Sequence, residues 1–148
     1  MLPHFLASKA GTIVNVGSFG GKVPSPYMTA YCTSKYAITG LTETLRLELE
    51  PKGIQVCGVY PSVTNTDFLE RSIFRAQDDL RTNDLRQQMQ RAIESPLSSQ
   101  PEEVARAIWN VVKHPQAEVI VGSAAIATVA YRFAPGLMSW IVQHTLKQ

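Results

Sequence analysis

The chain has 148 residues, 45% of them hydrophobic and 18% charged, with a formal net charge of +2. These values are ordinary for one globular domain, and the scattered Lys and Arg residues point to neither a nucleic-acid nor a membrane partner. Two cysteines, Cys32 and Cys57, are too few for a disulfide scaffold, so we expect reduced thiols and a cytoplasmic protein.

The first half of the chain predicts a helix, a strand and a second, longer helix. Residues 1–9 have the spacing of a helix end, and the β-branched run 12–17 is typical of a buried parallel strand. Glycines and prolines predict a loop over 19–28. Apolar residues at helical spacing predict a helix over 29–50, which is followed by the helix-ending residue Pro51.

The second half continues this alternation. Residues 54–60 predict a second strand that Pro61 ends, and residues 118–121 predict a third. Between them, acidic residues in a first turn predict a helix that begins near residue 99 and runs to residue 112. Strands that alternate with helices predict a parallel α/β sheet of about three strands with flanking helices.

Two further segments are amphipathic or apolar. Residues 67–94 combine many charges with apolar residues at helical spacing, which predicts one or two helices that either cover a site or only connect two elements. Residues 123–148 are apolar, but Arg132 and Pro135 interrupt them, so no spanning helix is predicted. We expect a helix docked on the rest of the chain, with an interfacial membrane helix as the alternative.

Three polar residues carry the chemical signal. Tyr31 and Lys35 are one helical turn apart on one face, and Ser18 follows the first predicted strand. A phenol alone is a poor acid or base at neutral pH, but a fixed ammonium nearby favours its phenolate form. A strand-end hydroxyl could hold a substrate oxygen against it, which predicts proton transfer coupled to carbonyl reduction or alcohol oxidation. The three histidines lack ligand spacing, so no metal site is predicted.

With these residues the chain resembles the short-chain dehydrogenase/reductase family. The resemblance is carried by the strand that ends in Asn15-Val16-Gly17-Ser18, by the Tyr31-x-x-x-Lys35 pair, and by a Pro-x-x-Thr-x-Thr turn that begins at Pro61. It covers residues 1–122 and implies part of a Rossmann-like, doubly wound parallel sheet.

The resemblance implies an NAD(P)-dependent oxidoreductase that interconverts a secondary alcohol and a ketone. Ser18 would orient the oxygen of a small-molecule substrate, and Tyr31 would be the general acid or base. Lys35 would bind the ribose hydroxyls next to the nicotinamide and favour the Tyr31 phenolate. The family also forms homo-oligomers through the helix predicted at 29–50, so we expect the same here.

The turn after the second strand would meet the nicotinamide. By resemblance, the backbone of Val63 and Thr64 would bind the carboxamide, and Thr66 would add its hydroxyl. Ser62 stands where the family usually has glycine, which could narrow the cofactor site. A strand that simply ends at Pro61 before a capped helix is the alternative interpretation. Neither NAD nor NADP is favoured by these residues.

The glycine-rich phosphate-binding turn of the family does not occur in the sequence. We therefore expect the C-terminal half of such an enzyme, with residues 67–98 as a substrate lid and 123–148 as an apolar helical tail. The first strand would have an unpaired edge, which predicts a chain that is marginal, dimeric or dependent on a missing segment. Without the contacts to the adenosine and pyrophosphate, we expect no turnover by the chain alone. A catalytically silent, truncated product that acts as a dimerisation or partner-binding module is the alternative.

Overall fold

The computed structural model describes residues 1–64, 87, 90–91, 93–94 and 98–145. The described elements are, in chain order, α1 (Leu2–Ser8), β1 (Gly11–Val16), a 3-10 turn (Phe19–Gly21), α2 (Thr29–Leu49), a 3-10 turn (Glu50–Lys52), β2 (Ile54–Pro61), α3 (Pro101–Lys113), β3 (Glu118–Val121), α4 (Ala124–Phe133) and α5 (Pro135–Thr145). The strands form one parallel sheet in the order β1-β2-β3, which confirms the predicted α/β class.

The register of the sheet brings the loop after β1, which begins with Gly17 and Ser18, and the turn after β2 to the same edge. Val16 at the end of β1 lies opposite Val59 of β2, and the next amide, of Gly17, donates to the Val59 carbonyl at 2.8 Å. Parallel strands therefore place the loops after β1 and β2 at their common carboxyl edge, where open α/β sheets bind ligands. Within the described residues β1 pairs with β2 alone, so it is an edge strand, as expected.

Helices cover both faces of the sheet because β2 is apolar on both sides. Cys57 and Val59 pack against Val111 of α3 on one face. Ile54 and Val56 pack with Leu49 of α2 on the other face. Both cysteines are buried and unpaired, and burial raises the pKa of the Cys57 thiol. A strand buried on both faces is typical of doubly wound parallel sheets.

Several predicted boundaries differ from the structure by one or two residues. Strand β2 includes Pro61 rather than ending before it, because the next ladder bond uses the Ser62 amide, which donates to Val121 at 2.9 Å. Helix α2 ends one residue early at Leu49, with the chain continuing as a 3-10 turn. Helix α3 begins at Pro101, where Gln100 and Glu103 form a capping box.

The apolar tail forms two helices rather than the single docked helix that we expected. Pro135 begins α5, and Ala134 before it is not helical, as the restricted backbone before proline favours. No single described helix has the length and apolarity to cross a membrane; α4 and α5 reach that composition only as a pair bent by 116°. Most of the predicted lid over 67–98 lies outside the described residues.

Candidate active site

Ser18 and Tyr31 share a hydrogen bond at the carboxyl edge of the sheet. The Tyr31 hydroxyl donates to Ser18 Oγ at 2.9 Å. Ser18 caps the 3-10 turn after β1, and its Oγ also accepts the Gly20 amide at 3.2 Å. The serine oxygen is thus held by the 3-10 turn on one side and by helix α2 on the other. A phenol and an alcohol in this arrangement can hold one further oxygen between them.

Lys35 lies beside the same pair, one turn along α2. Its Nζ is 5.7 Å from the centre of the Tyr31 ring and 3.5 Å from the Gly17 carbonyl oxygen. A cation within about 6 Å of an aromatic ring is attracted to it electrostatically. The structure therefore brings Ser18, Tyr31 and Lys35 together as the sequence predicted, while their catalytic roles stay predictions.

Two adjacent glycines let the Ser18 turn approach α2 closely. A Cβ at Gly21 would lie 2.5 Å from the Lys35 carbonyl oxygen, and one at Gly20 would lie 3.0 Å from the Tyr31 ring. Thr39 fixes the contact, since its hydroxyl is within hydrogen-bonding distance of the carbonyls of both Gly21 (3.1 Å) and Lys35 (3.2 Å). Sequence reasoning treated these glycines only as loop residues, although two in a row are the available signal for close backbone approach.

Gly17, the residue before Ser18, packs directly on the side chain of Tyr60 from β2. The ring of Tyr60, which is buried, occupies the space of a Gly17 Cβ at 2.6 Å. Lys22 Nζ lies 4.4 Å from the centre of that ring and pairs with Glu118 at 2.5 Å and with Glu43 at 3.3 Å. Burial alone would lower the pKa of Lys22, but the bond to Glu118 and the other charges outweigh it and raise that pKa. This packing ties the residue before Ser18 to β2, β3 and α2.

The turn after β2 is held by hydrogen bonds to the neighbouring Ser99. The two hydroxyls of Ser62 and Ser99 lie 2.8 Å apart, and the Ser99 amide donates to the Val63 carbonyl at 2.8 Å. Thr64 donates its hydroxyl to the Ser62 carbonyl at 3.1 Å. Among the described non-glycine residues positive φ occurs at Lys9 and Tyr27 and not at Ser62, so serine is accommodated there without strain. Thr66 lies outside the described residues.

The fold and this group of residues define a parallel α/β protein with a polar site at the carboxyl edge of its sheet. Residues 1–77, just over half of the chain, match the family model described as short chain dehydrogenase. The chain belongs to the short-chain dehydrogenase family.

Individual relatives agree with this assignment. A 3-ketodihydrosphingosine reductase of Bacteroides thetaiotaomicron is 40% identical over 70 residues, which are 47% of this chain and 26% of that protein. A Burkholderia phymatum short-chain dehydrogenase/reductase solved with NAD has a TM-score of 0.74 at 27% identity, covering 89% of this chain and 50% of that one. A Sphingobium yanoikuyae short-chain dehydrogenase solved with NADPH has a TM-score of 0.63 at 27% identity, covering 93% and 48%. The chain thus spans half or less of each relative.

Proposed function

We propose that this chain carries the proton-transfer centre of an NAD(P)-dependent oxidoreductase that interconverts a secondary alcohol and a ketone. The observation that supports it best is the 2.9 Å hydrogen bond from Tyr31 to Ser18, with the Lys35 ammonium beside the same ring. Membership of a dehydrogenase family favours this chemistry over other uses of a phenol and a serine.

In the direction of reduction, the Ser18 hydroxyl donates to the ketone oxygen and holds it next to Tyr31, whose hydroxyl then donates to that oxygen instead of to Ser18 Oγ. Tyr31 then gives its proton to that oxygen as negative charge develops there. The Lys35 ammonium stabilises the phenolate that remains. A reduced nicotinamide held beside these residues would supply the hydride to the carbonyl carbon. Oxidation of the alcohol is the reverse, with the Tyr31 phenolate taking the proton.

The residues at this edge fit the nicotinamide end of a dinucleotide. The Lys35 ammonium is a donor suited to ribose hydroxyls, and the backbone of Val63 and Thr64 offers amide and carbonyl groups to a carboxamide. Lys35 lies on α2 with its Nζ beside Gly17, the residue after β1, and Val63 and Thr64 follow the neighbouring strand β2, so both groups are at the same edge of the sheet. NAD and NADP have the same nicotinamide ribose, so this part of the site serves either, in line with the NAD and NADPH held by the two solved relatives.

Binding of reduced nicotinamide mononucleotide to the chain tests this assignment, because that probe contains only the end that these residues meet. Lys35→Ala should weaken its binding about 10- to 100-fold, the usual loss for a hydrogen bond to a charged group. Lys52→Ala, at an exposed lysine beyond α2, is the matched control and should bind as the parent does. Calorimetry gives both affinities, and equal binding by the Lys35→Ala and parent chains would contradict the assignment.

We also propose a homo-oligomer through α2. Leu41, Leu45 and Leu49 recur at four-residue spacing along α2, but only Leu45 and Leu49 pack toward the sheet, whereas Leu41 is half-exposed. Leu47 has 78% of its surface exposed, which leaves a large apolar side chain for a partner helix. Cytoplasmic location and membrane contact by the tail stay predictions.

Leu47→Glu should convert the expected dimer into a monomer, because a carboxylate would lose its hydration in an apolar interface. Leu6→Glu, at a partly exposed leucine on α1, is the control and should leave the molar mass unchanged. Light scattering coupled to size-exclusion chromatography measures both. A parent chain that stays monomeric at high concentration would count against the interface.

A further inference from the structure

The turn after β2 contacts the residue Ser99, two positions before α3, through a pair of hydroxyl groups. The oxygens of Ser62 and Ser99 lie 2.8 Å apart, and either hydroxyl can be the donor. When Ser62 donates, the Ser99 hydroxyl can donate to the Val121 carbonyl at 3.4 Å. When Ser99 donates, the Ser62 hydroxyl can donate to the Val63 carbonyl, also at 3.4 Å. Both hydroxyls therefore have partners in either arrangement.

Ser99 is enclosed by the protein. It has 1% of its surface exposed, and its amide donates to the Val63 carbonyl at 2.8 Å. Gly122, with a φ of 87°, leaves room for the two hydroxyls, because a Cβ there would overlap the oxygens of both serines. A buried hydroxyl that loses its partner costs free energy, so Ser99 favours a Ser62 side chain that stays against it.

The two serines also bracket the backbone of Val63 and Thr64. The Ser62 amide donates to the Val121 carbonyl at 2.9 Å, and the Ser62 carbonyl accepts the Thr64 hydroxyl at 3.1 Å. Thr64 pairs with Ser99 in an isolated parallel bridge. The peptide groups of Val63 and Thr64 are thus held between Ser62 on one side and Ser99 on the other, so loss of the hydroxyl contact should let them move.

We propose that Ser62 and Ser99 are positioning residues, whose hydroxyl contact fixes the backbone of Val63 and Thr64 in the orientation that binds the nicotinamide carboxamide. The proposal rests on the proposed function and adds two side chains to it that act through this backbone. It gives a reason for serine where the family usually has glycine, because the Ser62 hydroxyl reaches Ser99 and a glycine has no side chain to do so. It also predicts the opposite of a narrowed cofactor site, in which the Ser62 side chain would hinder binding.

Calorimetry with reduced nicotinamide mononucleotide separates these two effects of Ser62. Ser62→Ala and Ser99→Ala should each weaken binding about 2- to 10-fold, the usual loss for one neutral hydrogen bond. The double variant should bind as each single variant does, since the contact can be lost only once. Ser62→Gly should weaken binding too. Tighter binding by Ser62→Gly, or unchanged binding by Ser99→Ala, would overturn the proposal.

Thr42→Val is the matched control for a loss of stability alone. Thr42 is buried on α2, and its hydroxyl accepts the side-chain amide of Asn15 from β1 at 3.0 Å, so the contact does not involve the turn after β2. This variant should unfold at a lower urea concentration but bind the mononucleotide as the parent does. If it weakens binding as much as the serine variants, the loss follows stability and the proposal is wrong.

Amide hydrogen exchange tests the hydroxyl contact without a ligand. The Ser99 amide should exchange about 2- to 10-fold faster in Ser62→Ala, because its bond to Val63 is no longer held in place. The Gly17 amide, which donates to Val59 between β1 and β2, is the internal reference and should not change. Unchanged exchange at Ser99 would overturn the proposal. A parent chain that does not bind the mononucleotide would contradict the proposed function, while faster exchange at Ser99 alone would still support the part of the proposal that concerns the turn.

Discussion

Turnover of the alcohol–ketone reaction should fall about 10²–10⁴-fold when Tyr31 is replaced by Phe, which is the usual contribution of a positioned general acid or base. Phenylalanine keeps the ring but has no proton to exchange with the substrate oxygen. Ser18 keeps its hydrogen bond from the Gly20 amide, so its oxygen should remain near the strand end. The loss should therefore appear in kcat, with circular dichroism unchanged.

Tyr36→Phe is the matched control, because Tyr36 lies on the same helix but has Gly40, not a lysine, one turn later. It should turn over substrate as the parent does. The assay uses a polypeptide that also contains the region for the adenosine and pyrophosphate of the cofactor, which the first βαβ unit of such folds binds. Near-normal rates for Tyr31→Phe would reject the proton-transfer role.

The chain of 148 residues by itself should turn over ketones slowly or not at all. Its sequence has no glycine-rich turn for the pyrophosphate, so only the nicotinamide end would meet protein, near Lys35 and the turn after β2. Binding energy from remote parts of a substrate also positions the reacting end, so hydride transfer should be lost together with affinity.

The parts of the site that follow from local chain geometry were predictable from sequence. Helical spacing places Tyr31 and Lys35 on one face whatever surrounds them, and a parallel strand places Ser18 at its carboxyl end. The alternation of strands and helices likewise indicated the parallel sheet. These features depend on residues near one another in the chain, and the structure agrees with them.

The rest depends on contacts between distant residues. The Lys22–Glu118 pair joins positions 96 residues apart, and no local pattern marks a lysine in a loop as the partner of a glutamate on β3. The bend of 116° between α4 and α5 sets the direction of the tail, and the sequence signals it only as a proline in an apolar run. The narrowed cofactor site that the resemblance suggested for Ser62 stays a prediction, and the contact of its hydroxyl with Ser99, 37 residues away, is one that no local pattern marks.

Gly21→Ala should have a large effect on stability because it acts where the Ser18 turn and α2 touch. The new Cβ would lie 2.5 Å from the Lys35 carbonyl oxygen and 2.9 Å from the Thr39 hydroxyl, so the backbone must move. Overpacking of this kind usually costs about 1–3 kcal/mol in the free energy of unfolding. The same movement would separate Ser18 from Tyr31, and a displacement of about 1 Å can cost about 10²-fold in rate.

Gly40→Ala on α2 is the matched control, since a Cβ there meets no atom within 4 Å. Alanine in the middle of a helix should instead raise the free energy of unfolding by about 0.5–1 kcal/mol. Urea unfolding at concentrations where the chain does not associate measures both variants, and the two changes should have opposite signs. A Gly21→Ala chain as stable as the parent would show that the turn and α2 are not packed as closely as the active-site geometry requires, because the added methyl group would have found space between Ser18 and Lys35.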